Sequence, residues 1–292
     1  MTVAAQRSTD HRLLLLARVL TGVAVLSQVA YPLLDGDPSA ATNPPLVVVT
    51  AVSVVTFCAA SVTSAAATWG ARAAAVLVAV GGGLGLLAEA VGMASGYPFG
   101  SYTYTGTLGP QLLGVPLLVP LAWVMMAYPC LLAGRTVASG LPRPWPRRPH
   151  RLPGSRRRRP HRLPGLRHDV VAVAAAAWLL AAWDLFLDPQ MVTAGHWRWT
   201  FPQPSLPGVE GVPLTNFAGW LLVAVVIQAA LHAALPDRGP GDTAVPAVLL
   251  GWTWLGSSLA NLVFFDRPAV AAYGFVAIGV VAAPALLRWV RR

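Results

Sequence analysis

The chain contains no lysine: every one of its 21 Lys and Arg positions is an arginine. A Schiff base to retinal or to any other aldehyde is therefore chemically impossible, and a rhodopsin is excluded. Charge of either sign is scarce, at 11% of residues, against roughly 25% in an ordinary soluble domain. With 55% hydrophobic residues and a mean hydropathy of +0.59, that scarcity identifies an integral membrane protein. There are two cysteines, Cys58 and Cys130, and both fall in apolar runs, which excludes a disulfide framework or a thiolate cluster. Histidine is also sparse, and the residues of this type (His11, His150, His161, His168, His196 and His232) show no ligand spacing in any one layer. A zinc site or a histidine-rich iron oxygenase is unsupported. No Gly-rich phosphate loop follows a strand, because Gly81-Gly82-Gly83 lies in an apolar helix, where small residues allow close packing. The expectation is a protein that acts with no bound metal or redox cofactor.

What is present is a succession of apolar segments, each long enough to cross a hydrocarbon core of about 30 Å with about 20 residues. Eight are expected, at Leu13 to Leu34, Leu46 to Trp69, Ala71 to Ala94, Leu112 to Gly134, Val170 to Leu187, Leu214 to Leu235, Ala244 to Phe265 and Ala269 to Val290. The fold class is thus all-α, a polytopic membrane helix bundle forming one integral domain over residues 1–292 and sitting as a multi-pass protein in the cell membrane. The first segment follows Arg7, His11 and Arg12 as a signal peptide would, but Ala30-Tyr31-Pro32 is a poor cleavage site, so a retained helix is expected. Nineteen arginines fall on the side of the termini and two, Arg198 and Arg267, on the other, which predicts both termini in the cytoplasm.

Eleven of the nineteen lie between Arg135 and Arg167, in a loop to His168 that contains Arg-Arg-Pro-His-Arg-Leu-Pro-Gly twice, from Arg147 and from Arg158. Such low-complexity sequence reads as a disordered cytoplasmic topology determinant. Docking to anionic headgroups is the functional alternative, and nucleic acid is not an expected partner, since nothing else in the chain supports it.

With this topology, the polar intramembrane residues gather in one leaflet. Glu89 lies about 9 Å below the outer interface at 1.5 Å per residue. Asp184 and Asp188, in Trp183-Asp184-Leu185-Phe186-Leu187-Asp188-Pro189, share a helix face near the same surface. Asn216 opens the sixth helix, as a cap or as a site residue, while Gln28 and Asn261 read as interhelical hydrogen-bonding groups. Gln228 and His232 read as a structural pair near the inner end. The acids differ because a charged acid at mid-helix depth costs about 2.5–3.5 kcal/mol, which makes each a functional candidate. The negative end of a helix also disfavours an anion, so paired carboxyls there can divide into a proton donor and a base. For Asp188 a simple helix-ending turn before Pro189 is an equal reading.

Around the acids the sequence is aromatic. Seventeen uncharged residues, Ser95 to Gln111, join two apolar segments and include Tyr97, Phe99, Tyr102 and Tyr104. Such a loop suits an interfacial lid or wall. Trp197, Trp199 and Phe201 lie in the other outer loop, and Trp123, Trp183 and Trp220 in helices. Belt anchoring explains many such residues, but aromatic faces beside acids can also stabilise a carbocation, and together they suit protonation of an alkene.

These motifs resemble those of the membrane carotenoid 1′,2′-hydratase family, of the bisanhydrobacterioruberin hydratase and gamma-carotene hydratase type. The resemblance rests on Glu89, Gly100-Ser101-Tyr102-Thr103-Tyr104, Gly114-Val115-Pro116 with Trp123, the Trp183 to Pro189 motif, and Trp197-Arg198-Trp199 leading to Gly211-Val212-Pro213-Leu214-Thr215-Asn216-Phe217-Ala218-Gly219-Trp220. It covers roughly the third to sixth helices. Val209-Glu210 departs from the aromatic pair expected before Gly211. The resemblance implies addition of water to the terminal double bond of an acyclic carotenoid. Glu89 or Asp184 would give the proton, and Asp188 or Asp184 would activate water with help from Tyr102, Tyr104 or Asn216. Trp123, Trp183, Trp197 and Trp199 would join Tyr102, Tyr104 and Asn216 in binding substrate. The acyclic carotenoid, the lipid bilayer and other carotenoid enzymes are the expected partners. A lycopene-type cyclase and a carotenoid or lipid carrier are the alternatives.

Overall fold

The structure, a computed structural model, describes residues 3–34, 43–141, 165–237 and 242–291. Among the described residues, seven helical runs are long and apolar enough to cross a membrane. Five are single helices: α2 (Pro44–Trp69), α5 (Leu118–Ser139), α6 (Leu166–Thr193), α7 (Leu214–Ala234) and α10 (Pro268–Val290). The sixth is the stretch Asp10–Leu34 of α1 (Val3–Leu34), and the seventh joins α3 (Ala71–Leu77) to α4 (Gly83–Ser95) through a π-helical turn at Val78–Gly82. The eighth expected segment is also helical, as α8 (Ala244–Gly251), a π-helical turn at Trp252–Gly256 and α9 (Ser257–Val263). It is not among the seven, because Thr253, Ser257, Ser258 and Asn261 dilute its apolar character. The duplicated arginine repeat, at 147–165, lies outside the described residues except for its final glycine.

Helix α5 is the centre of the bundle. Every residue from Ala122 to Gly134 is buried, and α2, α6, α7, α8 and α10 all pack on it. Small residues set the spacing, as expected where lipid supplies no hydrophobic drive between helices. Ser61 donates to the Met125 carbonyl at 2.8 Å, Ser64 and Tyr128 hydroxyls meet at 3.0 Å, and a Cβ on Gly134 would collide with the Ala172 carbonyl oxygen.

Two sequence boundaries are corrected. Helix α5 begins at Leu118 and not near Leu112, because Gln111–Leu112 (β2) and Val115–Pro116 (β3) form a small antiparallel hairpin around Gly114, whose φ of +79° favours glycine. Helix α6 does not stop at Leu187 but runs on through Pro189 to Thr193. Asp188 is therefore inside a helix and forms no helix-ending turn. The macrodipole acts mainly within the final turn, so it contributes little at Asp184 or Asp188.

The two loops at this end of the bundle are joined. Tyr102–Tyr104 (β1) pairs antiparallel with Trp197–Trp199 (β4), in the register Tyr102 to Trp199, Thr103 to Arg198 and Tyr104 to Trp197. Successive strand residues face opposite sides. Tyr102, Tyr104, Trp197 and Trp199 thus turn toward the helices, while Thr103 and Arg198 are exposed.

Candidate active site

The β1–β4 ribbon covers an apolar cleft between α2, α4, α5, α6 and α7. Glu89, buried on α4, forms one side. Its Oε2 accepts the Tyr102 hydroxyl at 2.5 Å and the Tyr104 hydroxyl at 2.9 Å, and its Oε1 accepts the Trp123 Nε1–H at 3.2 Å. Three donors converging on one carboxyl stabilise negative charge there. Burial above all, reinforced by the Glu89 charge, pushes both tyrosine hydroxyls well above their ordinary pKa, so they remain O–H donors.

Across the cleft lies a pair of acids. Asp184 and Asp188, four apart on α6 and both buried, accept the same Asn216 side-chain amide, Asp184 Oδ2 at 2.7 Å and Asp188 through its Oδ2. Asp188 Oδ1 also accepts Trp197 Nε1–H at 3.1 Å. Asp184 Oδ1 is buried with no hydrogen-bond partner. Two adjacent carboxyls served by one neutral amide form an arrangement able to hold a proton between them. Asn216 does not cap α7, since the N-cap is Pro213, and its side chain is committed to the acids.

The aromatic lining is built in layers. Trp123 stacks on Trp220 with centroids 4.0 Å apart and planes 16° from parallel, while Tyr102 packs on Trp199 and Tyr104 on Trp197, each at 5.6 Å. Trp199 also donates to the Phe99 carbonyl at 2.9 Å, tying the ribbon to the loop. Of the residues expected to bind substrate, Tyr102, Tyr104, Trp123, Trp197, Trp199 and Asn216 line the cleft together with Glu89 and Asp188. Asp184 lies behind Asp188. Trp183 does not line this cleft: it packs edge-on against Trp220 and faces a neighbouring chamber.

Several contributors carry no chemical signal in the sequence. Leu118, Met191 and Thr50 line the cleft as ordinary apolar or weakly polar helix residues. Gly85 is equally ordinary in sequence, yet a Cβ there would stand 2.6 Å from the Trp123 ring. Small residues every few positions on α4 were the available clue. Among the described residues, no group of three or more His, Cys, Asp or Glu side chains is placed to hold a metal ion.

A family model for carotenoid biosynthesis proteins matches residues 45–281. The chain belongs to this family. It is a multi-pass membrane protein of carotenoid biosynthesis, and the match spans every helix that contributes to the acid cleft. The chain is also similar to the bisanhydrobacterioruberin hydratase of Haloarcula japonica, with 33% identity over 204 residues. That alignment covers 64% of this chain and 58% of the relative, so the chain spans a little over half of that relative's length. No solved structure matches the chain.

Proposed function

We propose that this member of the carotenoid biosynthesis family is a hydratase that adds water across the terminal C=C of an acyclic carotenoid. The observation that carries this reading is the pairing, across one aromatic cleft, of a glutamate held by three donors with an aspartate pair that shares a neutral donor. The printed name of the Haloarcula relative supports the same chemistry.

In the mechanism, the end group enters the cleft between Trp123, Trp197, Trp199 and Trp220. Asp188, with Asp184 behind it, gives its proton to the less substituted alkene carbon. The π bond breaks, a C–H bond forms and a tertiary cation remains. Glu89 and the aromatic faces offset that charge, an attraction of about 2 kcal/mol or more per well-placed ring once water is removed. Water attacks the cation, a C–O bond forms, and the aspartate pair, now short of a proton, takes one from the water oxygen. The pair ends as it began. Tyr102 and Tyr104 hold Glu89 in place and stay neutral throughout.

The test is the pigment profile of a bacterial host making lycopene or a longer acyclic carotenoid, with and without the chain and its Glu89→Gln and Asp188→Asn variants. Products heavier by one or two waters are expected, with yield per inserted protein falling by about 10²–10⁴-fold in Asp188→Asn, the range of general acid catalysis. A pigment of unchanged mass but altered absorption would make the chain a cyclase. Unchanged pigment with the protein inserted would favour a carrier.

A further inference from the structure

Beside the acid cleft lies a second chamber, bounded by α1, α2, α6 and α9. Its lining is of another kind. Gln28 donates to Ser53 Oγ at 2.9 Å and accepts the Trp252 Nε1–H at 2.7 Å, which places an amide and a hydroxyl on its wall. Trp252 opens a π-helical turn, a distortion often found at functional sites. Asn261 faces the chamber from α9. It is 1% exposed, its amide donates to the Ser257 carbonyl at 2.9 Å within its own helix, and its Oδ1 has no donor at all. The sequence expectation that Asn261 bonds a neighbouring helix is thereby corrected.

A buried amide oxygen without a donor is costly. Where such a group borders a chamber this roomy and this polar, an ordered water is the ligand that fits. The two cavities also share a wall, because Thr50, Val54, Leu187 and Met191 line both. Helical spacing explains the sharing: on α6 the face of Asp184 and Asp188 passes through Met191 and Leu187 to Trp183 and Gln190, which face the second chamber. Apart from the acids and their donors, the cleft is apolar.

Resting on the hydration reading, we propose that the second chamber binds water and supplies the nucleophile past Thr50 and Met191 to the cation formed beside Asp188. Rationing is the consequence. When a water arrives, its oxygen forms the C–O bond and one of its protons restores the aspartate pair. When none arrives, the pair instead removes a proton from the carbon next to the cation, a C–H bond breaks and an alkene is regenerated.

The experiment compares the full-length wild type with Asn261→Leu in membranes supplied with lycopene in heavy water. Leucine has a similar volume and removes an unsatisfied polar group, so the variant is expected to fold. Two readouts are taken: the ratio of hydrated product to deuterium in recovered lycopene, and hydroxyl-radical oxidation of Met125, which lines the chamber. Met126 is the internal control, because its sulfur instead faces the Thr253 hydroxyl at 3.8 Å. In Asn261→Leu the hydrated product should fall about tenfold while deuterium in recovered lycopene rises, the effect of losing roughly one hydrogen bond that holds water in the chamber. Met125 oxidation should exceed that of Met126 in the wild type and drop in the variant. Product and deuterium that stay unchanged, or fall together, would overturn the supply role. Met125 oxidation no greater than that of Met126 would overturn the chamber as a water site. A wild type that gives neither hydrated product nor deuterium would instead sink the hydration reading, and the supply role with it.

Discussion

The two ends of the bundle treat buried polarity in opposite ways. At the end that carries the termini of the described chain, charges meet opposite charges or helix ends. Arg18 pairs with Asp242, His232 hydrogen-bonds Asp169 through Nε2 while its Nδ1 accepts the Arg135 Nε–H, and Arg135 also donates to the His232, Leu235 and Pro236 carbonyls that finish α7. Arg288 likewise meets the carbonyls of Thr136 and Val137 near the end of α5. At the ribbon end, Glu89, Asp184 and Asp188 are buried more deeply, yet their donors are phenols, indoles and one amide. Among the described residues, the Arg18–Asp242 ion pair lies at the first end, and no ion pair includes these three acids. An ion pair fixes a carboxylate and removes its basicity, whereas a neutral donor positions it and leaves its proton chemistry available. One end holds charge still, and on the hydratase reading proposed above the other lets a proton move.

The sharpest way to break that contrast is to give the ribbon end what the other end has. Asn216→Lys would put an ammonium between Asp184 and Asp188 and convert the pair into an ion triad. Hydrated product per inserted protein should fall by about 10²–10⁴-fold, as for removal of a general acid. Pigment extraction normalised to membrane-inserted protein checks it. Product above about a tenth of the wild-type level would mean that donor neutrality is not what the site needs.

A smaller effect follows from the packing that aims one donor. Gly85→Ala would place a methyl 2.6 Å from the Trp123 ring, and Trp123 is held on its other face by Trp220. The indole must move, and its 3.2 Å bond to Glu89 Oε1 is the first to break. Overpacking of this kind costs about 1–3 kcal/mol, which as misplaced transition-state charge is a fall of about 5- to 160-fold in hydration rate. The companion Gly83→Ala has open space around its Cβ and should be close to neutral. Equal effects at both positions would point to helix propensity and not to the tryptophan.

Much of this arrangement was legible in the sequence, for identifiable reasons. A carboxylate inside an apolar run is rare enough to stand out, and Glu89, Asp184 and Asp188 all reach the one site. The alternation in Tyr102-Thr103-Tyr104 and in Trp197-Arg198-Trp199 is the signature of strands with one buried face, although two three-residue runs in separate loops gave no sign that they pair with each other. Proline misled at Pro189, because a helix that continues past a proline does so through tertiary packing that no local pattern encodes. Trp183 was expected in the cleft as part of the motif that carries the resemblance, but neighbours on a helix point about 100° apart, and it faces the second chamber while Asp184 turns to the acids. That chamber was invisible for a related reason: Gln28, Ser53 and Asn261 come from three distant helices, and each alone reads as interhelical glue.

At the charged end the contrast predicts stability without chemistry. Arg135 supplies hydrogen bonds to three carbonyls and lies 5.8 Å above the Trp69 ring. Replacing it by glutamine should cost about 2–3 kcal/mol, since charge-assisted bonds and the α7 end are lost together. Thermal unfolding in detergent would show the drop. Product per folded protein should stay within about twofold of wild type, because no part of this cluster touches the cleft. A large loss of specific activity would mean that the two ends are coupled.

The finest test concerns how the ribbon is pinned. His196, 2% exposed, bonds through Nδ1 to the Thr107 hydroxyl at 2.7 Å, while its carbonyl accepts the Thr105 amide at 3.0 Å. Burial lowers its pKa to about 4, below the value near 6.5 that an exposed histidine has in an unfolded chain. The unfolded or locally opened form therefore binds the proton more tightly, so the stabilisation present above about pH 6.5 is lost as pH falls toward 4 and is flat below that. Between pH 7 and 5.5 the loss should be about 1 kcal/mol, read as lower hydrogen-exchange protection, relative to the unfolded chain at the same pH, of the Thr105 and Thr200 amides that tie the two loops. His196→Gln keeps a polar partner for Thr107 without a titrating ring, and its protection relative to the unfolded chain should stay constant over that range. Acid-sensitive opening that persists in this variant would move the titration to the carboxyls beneath the ribbon. The acids would then hold the lid as well as carry out the chemistry, and the separation between charge that fixes and charge that reacts would have to be drawn within the site, not between the two ends.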